Sequence, residues 1–344
     1  MSDTSTSVET GSSQRNWRQA VAGFQHADRR RSVWQLANTL IPYLALWVLM
    51  VLSLRVSYWL TLALAIPAAG FLVRTFIIFH DCCHGSFFKS QKANDAVGII
   101  TGLLVFTPYY SWRHSHALHH ATAGDLDRRG VGDVWTMTVA EYLASPRWRR
   151  AAYRFTRFPL VTFGLGPLAM FLLVQRFPAG PDKRRERVGV WMTNLALAGI
   201  LALAAFTIGL KAYILVQLPI IWLAGAAGIW LFYVQHNFPD TYWEHHERWD
   251  YATVGLKGSS YYQLPALLRW FSGSIGFHHI HHLSPRTPNY LLKPCHEASP
   301  IFGEVKPVTL LSSLTALKLR LWDEDQRKLV GFGQLKRRPA SEGV

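Results

Sequence analysis

Residues Ala212–Phe238 read AYILVQLPIIWLAGAAGIWLFYVQHNF, with no charge from Ala212 to Val234 and a histidine, His236, two positions further on. A helix needs about 20 apolar residues to cross the roughly 30 Å hydrocarbon core of a bilayer, and inside that core a helix satisfies all of its own backbone groups. The stretch therefore reads as a membrane-spanning helix that carries a histidine out at its C-terminal end. Ser32–Leu54 and Val188–Leu210 are uncharged over the same length, and Val56–Val73 is only slightly shorter. A composition of 50% hydrophobic residues over 344 fits four such spans. The fold class expected is an all-α integral membrane protein, multi-pass, with four transmembrane helices in two hairpins, interfacial helices and a histidine-rich cap on the cytoplasmic side.

The formal charge of +15 would suit nucleic acid, but its placement points to the lipid bilayer. All 36 Lys and Arg except Arg55, Arg74 and Lys211 lie in residues 1–37, 80–190 and 235–344. Arg55 and Lys211 occupy the two short links within the hairpins. By the positive-inside rule those links face away from the cytoplasm, while both termini and the long connections face it. Arg74 is expected near the inner end of the second helix, snorkelling toward the headgroups. No nucleic-acid partner is expected.

Phe158–Gln175 (FPLVTFGLGPLAMFLLVQ) is also uncharged, but Pro159, Gly164, Gly166 and Pro167 interrupt it and basic clusters flank it. It is read as re-entrant or interfacial, as is the shorter Ala96–Tyr110. Residues 1–31, polar and rich in Ser and Thr at their start, are expected as a disordered tail without the n- and h-regions of a signal peptide. Residues 32–318 are expected as one membrane domain. Residues 319–344 (LRLWDEDQRKLVGFGQLKRRPASEGV) are read as a cytoplasmic surface helix and tail. Cys82, Cys83 and Cys295 suggest no oxidised framework.

Histidine is the most specific signal. Eleven of the 15 fall in four groups: His80 and His84; His114, His116, His119 and His120; His236; and His278, His279, His281 and His282. All four groups lie on the side assigned to the cytoplasm. At about 100° per residue, His80 and His84 share a helix face, and His116, His119 and His120 fit one arc of about 100°. His114 points to the opposite side. In GFHHIHHLSPRTPNY (Gly276–Tyr290), His278, His281 and His282 fit one arc and His278, His279 and His282 fit another. The HxxHH spacing repeated from the 116–120 group selects the first set and leaves His279 as a neighbour. Nine imidazoles, His80, His84, His116, His119, His120, His236, His278, His281 and His282, exceed the three or four ligands of one zinc site and suggest two metals. Spacing alone leaves iron, zinc, copper and nickel open.

HxxxH, HxxHH and a late HxxHH around two hydrophobic hairpins resemble the three histidine boxes of the membrane fatty acid desaturases. WRHSHALHHATAGDLDRRGVGDVWT (Trp112–Thr136), YVQHNFPDTYW (Tyr233–Trp243) and GFHHIHHLSPRTPNY are similar to the acyl-lipid desaturases of the omega-6 type in particular. The resemblance covers roughly Pro42–Tyr290. It implies two iron ions, O2 as co-substrate, and removal of two hydrogens from an acyl segment to leave a cis double bond. By the match of boxes the metal ligands would be His80 and His84; His116, His119 and His120; and His278, His281 and His282, with His236 as the family's extra histidine. Metal-bound histidines usually donate their other N–H to an acid or a carbonyl, so Asp81, Asp125, Asp127, Asp133 and Glu244 are candidates beside the ligands, with His279. Asp125 and Asp127 also match the family's acidic residues after the second box.

The substrate implied is a membrane lipid or an acyl thioester. Tyr109, Tyr110, Trp112, Tyr242 and Trp243 are placed to frame the headgroup zone. With no HPGG or CxxCH motif and three cysteines, a separate electron donor of ferredoxin or cytochrome type is expected. The Arg147, Arg149, Arg150, Arg154 and Arg157 surface suits either an acidic donor or anionic lipid. A histidine-box hydroxylase or ketolase acting on an alkane or carotenoid is the alternative, and would add oxygen rather than a double bond. A metal transporter or sensor would need ligands near mid-membrane, and none of the four spans has a histidine in its interior.

Overall fold

Asp28 starts the first long helix by accepting from the backbone N–H groups of Arg30 and Arg31 at 2.8 and 3.1 Å. Those are two of the donors that a helix start leaves without partners. This helix, α1 (Arg29–Ser53), turns through residues 54–57 into α2 (Tyr58–His84). Ser53 and Thr61 close the corner with a hydroxyl pair at 2.7 Å. α2 stops because Gly85 takes φ 67° and its N–H returns to the carbonyls of Asp81 and Cys82. A residue with a Cβ adopts that conformation only under strain, so Gly85 fixes His84 on the last helical turn. The structure is a computed structural model and describes residues 17–130, 132, 134–178 and 183–337.

α3 (Gln91–Leu104) and α4 (Tyr109–Thr122) follow, then the short α5 (Val139–Ala144), α6 (Arg147–Thr156) and α7 (Gly166–Leu172). The second hairpin is α8 (Arg184–Thr207) and α9 (Leu210–His236). α1, α2, α8 and α9 are long and apolar enough to span a bilayer, and they coincide with the four expected stretches. α2 packs on α1, α3 and α9. Its small residues Ala65, Ala68 and Ala69 share a core with Val216, Ile220, Ile221 and Ala224 of α9; small residues let helices approach closely where lipid removes the hydrophobic drive. Trp47 Nε1 donates to Gln217 Oε1 at 2.9 Å, tying α1 to α9. α8 instead keeps Leu195, Leu203 and Phe206 exposed, Phe206 at 90%, a surface suited to hydrocarbon and not to water.

Arg74 departs from expectation. It lies inside α2 and is buried. Its Nε donates to Thr39 at 3.1 Å, its Nη1 donates to the Trp270 carbonyl, and its guanidinium sits 4.1 Å from the centroid of the Trp270 ring. Polar partners on α1 and in the cap satisfy the guanidinium, so the side chain pairs within the protein and does not snorkel. Phe158–Gln175 forms a π-turn (Leu160–Leu165), α7 and a 3₁₀ turn (Val174–Arg176), bent by 58° from α6. It docks on α9 where Gly225 leaves room: a Cβ there would meet Pro167 at 2.8 Å. α3, with 14 residues, is too short to span alone.

The cap follows α9. It contains α10 (Tyr251–Lys257), strand β1 (Tyr261–Gln263), α11 (Ala266–Phe271), α12 (His278–Leu283), α13 (Asn289–Ala298) and β2 (Pro307–Thr309). β1 pairs with β2 in parallel, Tyr262 opposite Val308. Before α12, Tyr262 N donates to the Gly276 carbonyl at 2.7 Å.

Both expected tails contract. Residues 17–22 are helical, and Trp17 and Val21, one turn apart, are buried with Ile280, Leu283 and Leu292. The polar tail expected to residue 31 therefore gives way from residue 17, because an i, i+4 apolar pair seats it; residues 1–16 lie outside the described residues. The surface helix expected from Leu319 is instead an antiparallel hairpin of β3 (Leu321–Asp323) and β4 (Lys328–Val330), with Trp322 donating its N–H to Met137 O at 3.0 Å. Leu321 and Val330 join Met137, Tyr142 and Tyr153 in a core, and the polar Glu324–Arg327 run forms the turn; residues 338–344 lie outside the described residues.

A Cβ on Gly276 would meet the Tyr262 carbonyl at 2.3 Å. Gly276→Ala must therefore push apart β1 and the entry to α12, at a cost of about 1–3 kcal/mol. Purified protein should melt at lower temperature than wild type, whereas Gly199→Ala, where nothing lies within 4 Å, should melt no lower.

Candidate metal centre

The C-terminal ends of α2 and α9 meet α4 and α12 at one end of the bundle, and each brings histidines. The nine imidazoles form two groups. His80, His84, His116, His120 and His281 make the first; His119, His236, His278 and His282 make the second. Within each, one ring nitrogen per residue lies within 4.8 Å of all the others. His120 and His282 stack at 4.2 Å and 22°, joining the groups.

The spacing explains the division. In each HxxHH, the i and i+4 residues share a ridge and i+3 lies on the neighbouring one. α4 accordingly gives His116 and His120 to the first group and His119 to the second. α12 reverses the assignment, giving His278 and His282 to the second and His281 to the first. The expected single arc per box hides this, since all three side chains do face inward. What the sequence did not show is that each HxxHH divides its histidines between two groups.

Four contacts define the approach of the rings. His236 Nε2 lies 3.1 Å from His119 Nε2 and 3.0 Å from His278 Nε2; His120 Nε2 lies 3.2 Å from His116 Nε2 and 3.0 Å from His281 Nε2. His84 Nε2 and His282 Nε2 are buried with no hydrogen-bond partner. Burial, seconded by the neighbouring imidazoles, holds His116, His120, His278, His281 and His282 well below the usual histidine range. They are uncharged at neutral pH, which is the form that ligates a metal.

Of the expected acids, Asp81 meets the cluster. Its Oδ1 is 3.3 Å from His80 Nδ1, while Oδ2 accepts from Asn289 N and Nδ2 at 2.7 and 2.8 Å. Asn289 in turn exchanges hydrogen bonds with Gln35 of α1 at 2.9 and 3.2 Å. Neither Asn289 nor Gln35 was expected; Asn289 stands within the quoted GFHHIHHLSPRTPNY run, but no spacing rule singles it out. Trp112 stacks on His116 at 4.2 Å and 22°, one turn before it on α4, and Phe232 lies 5.1 Å from His119. Trp112 was expected only as a framing aromatic. Tyr251 Oη donates to the His282 carbonyl and holds the end of α12.

The other acids form a belt beside the cluster. Asp125 is buried and accepts from Arg128 Nε at 2.7 Å and from the Asp127 N–H at 3.0 Å, with His246 Nδ1 at 2.9 Å. Asp127 holds His245 Nδ1 at 2.9 Å, and Glu244 pairs with Arg248 and Arg327. Their described hydrogen bonds go to this belt and not to the nine imidazoles; Asp133 lies outside the described residues. His279 belongs to neither group: it faces His296 at 3.3 Å and Tyr261, and burial lowers its pKa to about 3. His114 pairs with Glu186 at 3.5 Å, away from the cluster. Among the five expected surface arginines, Arg157 is buried against Tyr233 and Thr136.

Residues 56–309 match the family model described as fatty acid desaturase. A protein named fatty acid desaturase from Bacillus subtilis (strain 168) is 49% identical over 321 residues, covering 93% of this chain and 91% of that protein. An omega-6 fatty acid desaturase, chloroplastic, of Arabidopsis thaliana is 29% identical over 256 residues, 70% of this chain and 54% of its own. The sn-1 acyl-lipid omega-3 desaturase (ferredoxin) of Synechocystis sp. is 29% identical over 245 residues, 67% of this chain and 64% of its own.

The two groups make metal content the test of the histidines. Protein purified with metal should lose about half of its bound metal when His281 of the first group or His119 of the second is changed to Ala. His279→Ala should keep the full complement. Elemental analysis by mass spectrometry reads all three, and equal losses in His279→Ala and His281→Ala would contradict the grouping.

Proposed function

The chain belongs to the fatty acid desaturase family, and on that premise we propose that it introduces a cis double bond into an acyl chain, using O2 and external electrons at two iron ions held by the nine histidines. One observation carries the metal reading. A neutral imidazole nitrogen has either one proton or one lone pair, so it can pair with a single neighbour. His236 Nε2 meets both His119 and His278 at 3.0–3.1 Å, and His120 Nε2 meets both His116 and His281 at 3.0–3.2 Å. The single proton or lone pair of the central nitrogen can align with only one of its two neighbours, so the second close contact in each trio has no well-aligned hydrogen bond, and a shared cation would give all three lone pairs a partner.

Five imidazoles in the first group exceed the four ligands of a tetrahedral zinc site, and desaturation calls for a redox-active metal, which zinc is not; both support iron. The ligand sets would be His80, His84, His116, His120 and His281 for one ion, and His119, His236, His278 and His282 for the other. Bound there, two iron ions would supply, with O2, the oxidising power that an unactivated C–H bond demands and that no side chain has. Overall, the acyl segment gives up two hydrogens, a donor gives two electrons, and O2 takes these with two protons to form two waters.

The protein's own residues position and shield. Asp81 accepts from His80 Nδ1–H and is itself held by Asn289, which fixes the ring's tautomer and leaves Nε2 free to ligate. Trp112 and Phe232 cover imidazole rings and keep water from them. Because α2 and α9 end at the cluster, an acyl chain in the bilayer can reach it while its ester or thioester stays among the headgroups. The substrate class is a membrane lipid or acyl thioester, and the acyl-lipid names of relatives support the former. A separate ferredoxin- or cytochrome-type donor supplies electrons, as the word ferredoxin in the Synechocystis name suggests for that protein. Arg55 in the short link between α1 and α2, and Lys211 in the first turn of α9, leave that end of the hairpins poor in basic residues and support a cytoplasmic position for the termini and metal end.

Expression in a host that makes only saturated and monounsaturated lipids provides the test. Mass spectrometry of the host's lipids should find acyl chains two mass units lighter with a new cis bond at one position, and His281→Ala should abolish them. Acyl chains carrying added oxygen instead would assign a hydroxylase.

A further inference from the structure

α6, RWRRAAYRFT, has two exposed flanks of different chemistry. At about 100° per residue, Arg147, Arg150 and Arg154 lie within an arc of roughly 60°, while Trp148 and Phe155 lie within roughly 20° on an adjoining face. The opposite side is anchored: Tyr153 is buried, and its Oη donates to the Arg320 carbonyl at 2.5 Å. Trp148 and Phe155 stand 73% and 61% exposed. The chain then runs directly into Phe158 and Leu160, also exposed, and into the apolar segment that docks on α9. A helix with cationic and aromatic exposed flanks, continuous with a membrane segment, is built to lie in the interface.

The arginine flank borders a groove. An open cavity of about 400 Å³ is lined by Tyr142, Arg147, Arg150, Arg154, Phe332 and Leu335. The arginines rest on its aromatic floor: Arg154 Nε donates to Tyr142 Oη at 2.6 Å, its guanidinium lies 4.8 Å from the Phe332 ring centroid, and that of Arg150 lies 6.0 Å from Tyr142. Among the described residues no carboxylate pairs with Arg147, Arg149, Arg150 or Arg154. Three guanidinium groups around a headgroup-sized groove, with no acid among the described residues paired to them, call for an anion with several oxygens.

We propose that this groove binds the phosphodiester headgroup of an anionic phospholipid, with Trp148 and Phe155 inserted into the bilayer beside it. The exposed apolar flank decides the source. A soluble phosphate would make no use of it, and an acidic protein docked on the arginines would leave it in water. The site rests on the bilayer embedding of the fold and not on the metal chemistry, so it can fail while the catalytic reading stands, and the reverse.

The full chain, purified in neutral detergent, should bind phosphatidylglycerol in preference to phosphatidylcholine when the two compete in native mass spectrometry. Arg147→Gln with Arg150→Gln should reduce that preference on the order of tenfold, since two of the three guanidinium groups that would pair with the phosphodiester are removed. Arg147→Lys with Arg150→Lys should retain most of it, and bound metal should be unchanged in both. No preference in wild type, a preference untouched by the Gln pair, or displacement of the lipid by millimolar inorganic phosphate would overturn the proposal. Loss of lipid to an acidic ferredoxin-type protein competing for the same arginines would also overturn it.

Discussion

Nine imidazoles are packed ring against ring at one end of a helical bundle, seven of them buried and His84 and His236 partly so. Everything that surrounds them serves that arrangement. Protons cannot satisfy the nitrogens that meet two others at about 3 Å, and burial disfavours charging the rings instead. A cation held by each group would resolve both problems at once. α2 and α9 run on past their apolar stretches to deliver His80, His84 and His236, Gly85 stops α2 directly after His84, and the cap carries α12 back over the bundle to close the second side.

The rings are held by ordinary polar and packing contacts of long sequence range. Asp81 is positioned by Asn289 and Gln35, which come from α13 and α1, so the first hairpin and the cap share the task of aiming His80. The buried helical turn at residues 17–22 packs under α12. The acidic belt of Asp125, Asp127 and Glu244 binds the segment after α4 to the C-terminal hairpin through Arg128, Arg327 and His245. It shapes the ground on which α4 stands, although its members were expected nearer the metal.

Much of this was legible in the amino-acid order, for a physical reason in each case. Spans show because lipid forbids charge over a fixed length, and the inward histidines show because helical periodicity is rigid. The allocation of each HxxHH between two groups of histidines was not legible, because it depends on how α4 and α12 cross. Arg74 misled because a lone cation in an apolar run suggests the nearest headgroup, while its partners, Thr39 and the Trp270 carbonyl, are distant in sequence. The β3–β4 hairpin was hidden by its charged turn, which resembles a solvated helix until Trp322 is seen to be buried.

The central claim is that the two histidine groups each hold an iron ion, with imidazole nitrogens as the ligands the protein supplies. X-ray absorption at the iron edge, on protein purified from an iron-supplemented host, tests it most directly. Two irons per chain are expected, each with a first shell of nitrogen and oxygen donors at about 2.1 Å and no sulfur. Zinc as the resident metal, a single iron per chain, or a sulfur atom in the first shell would contradict it.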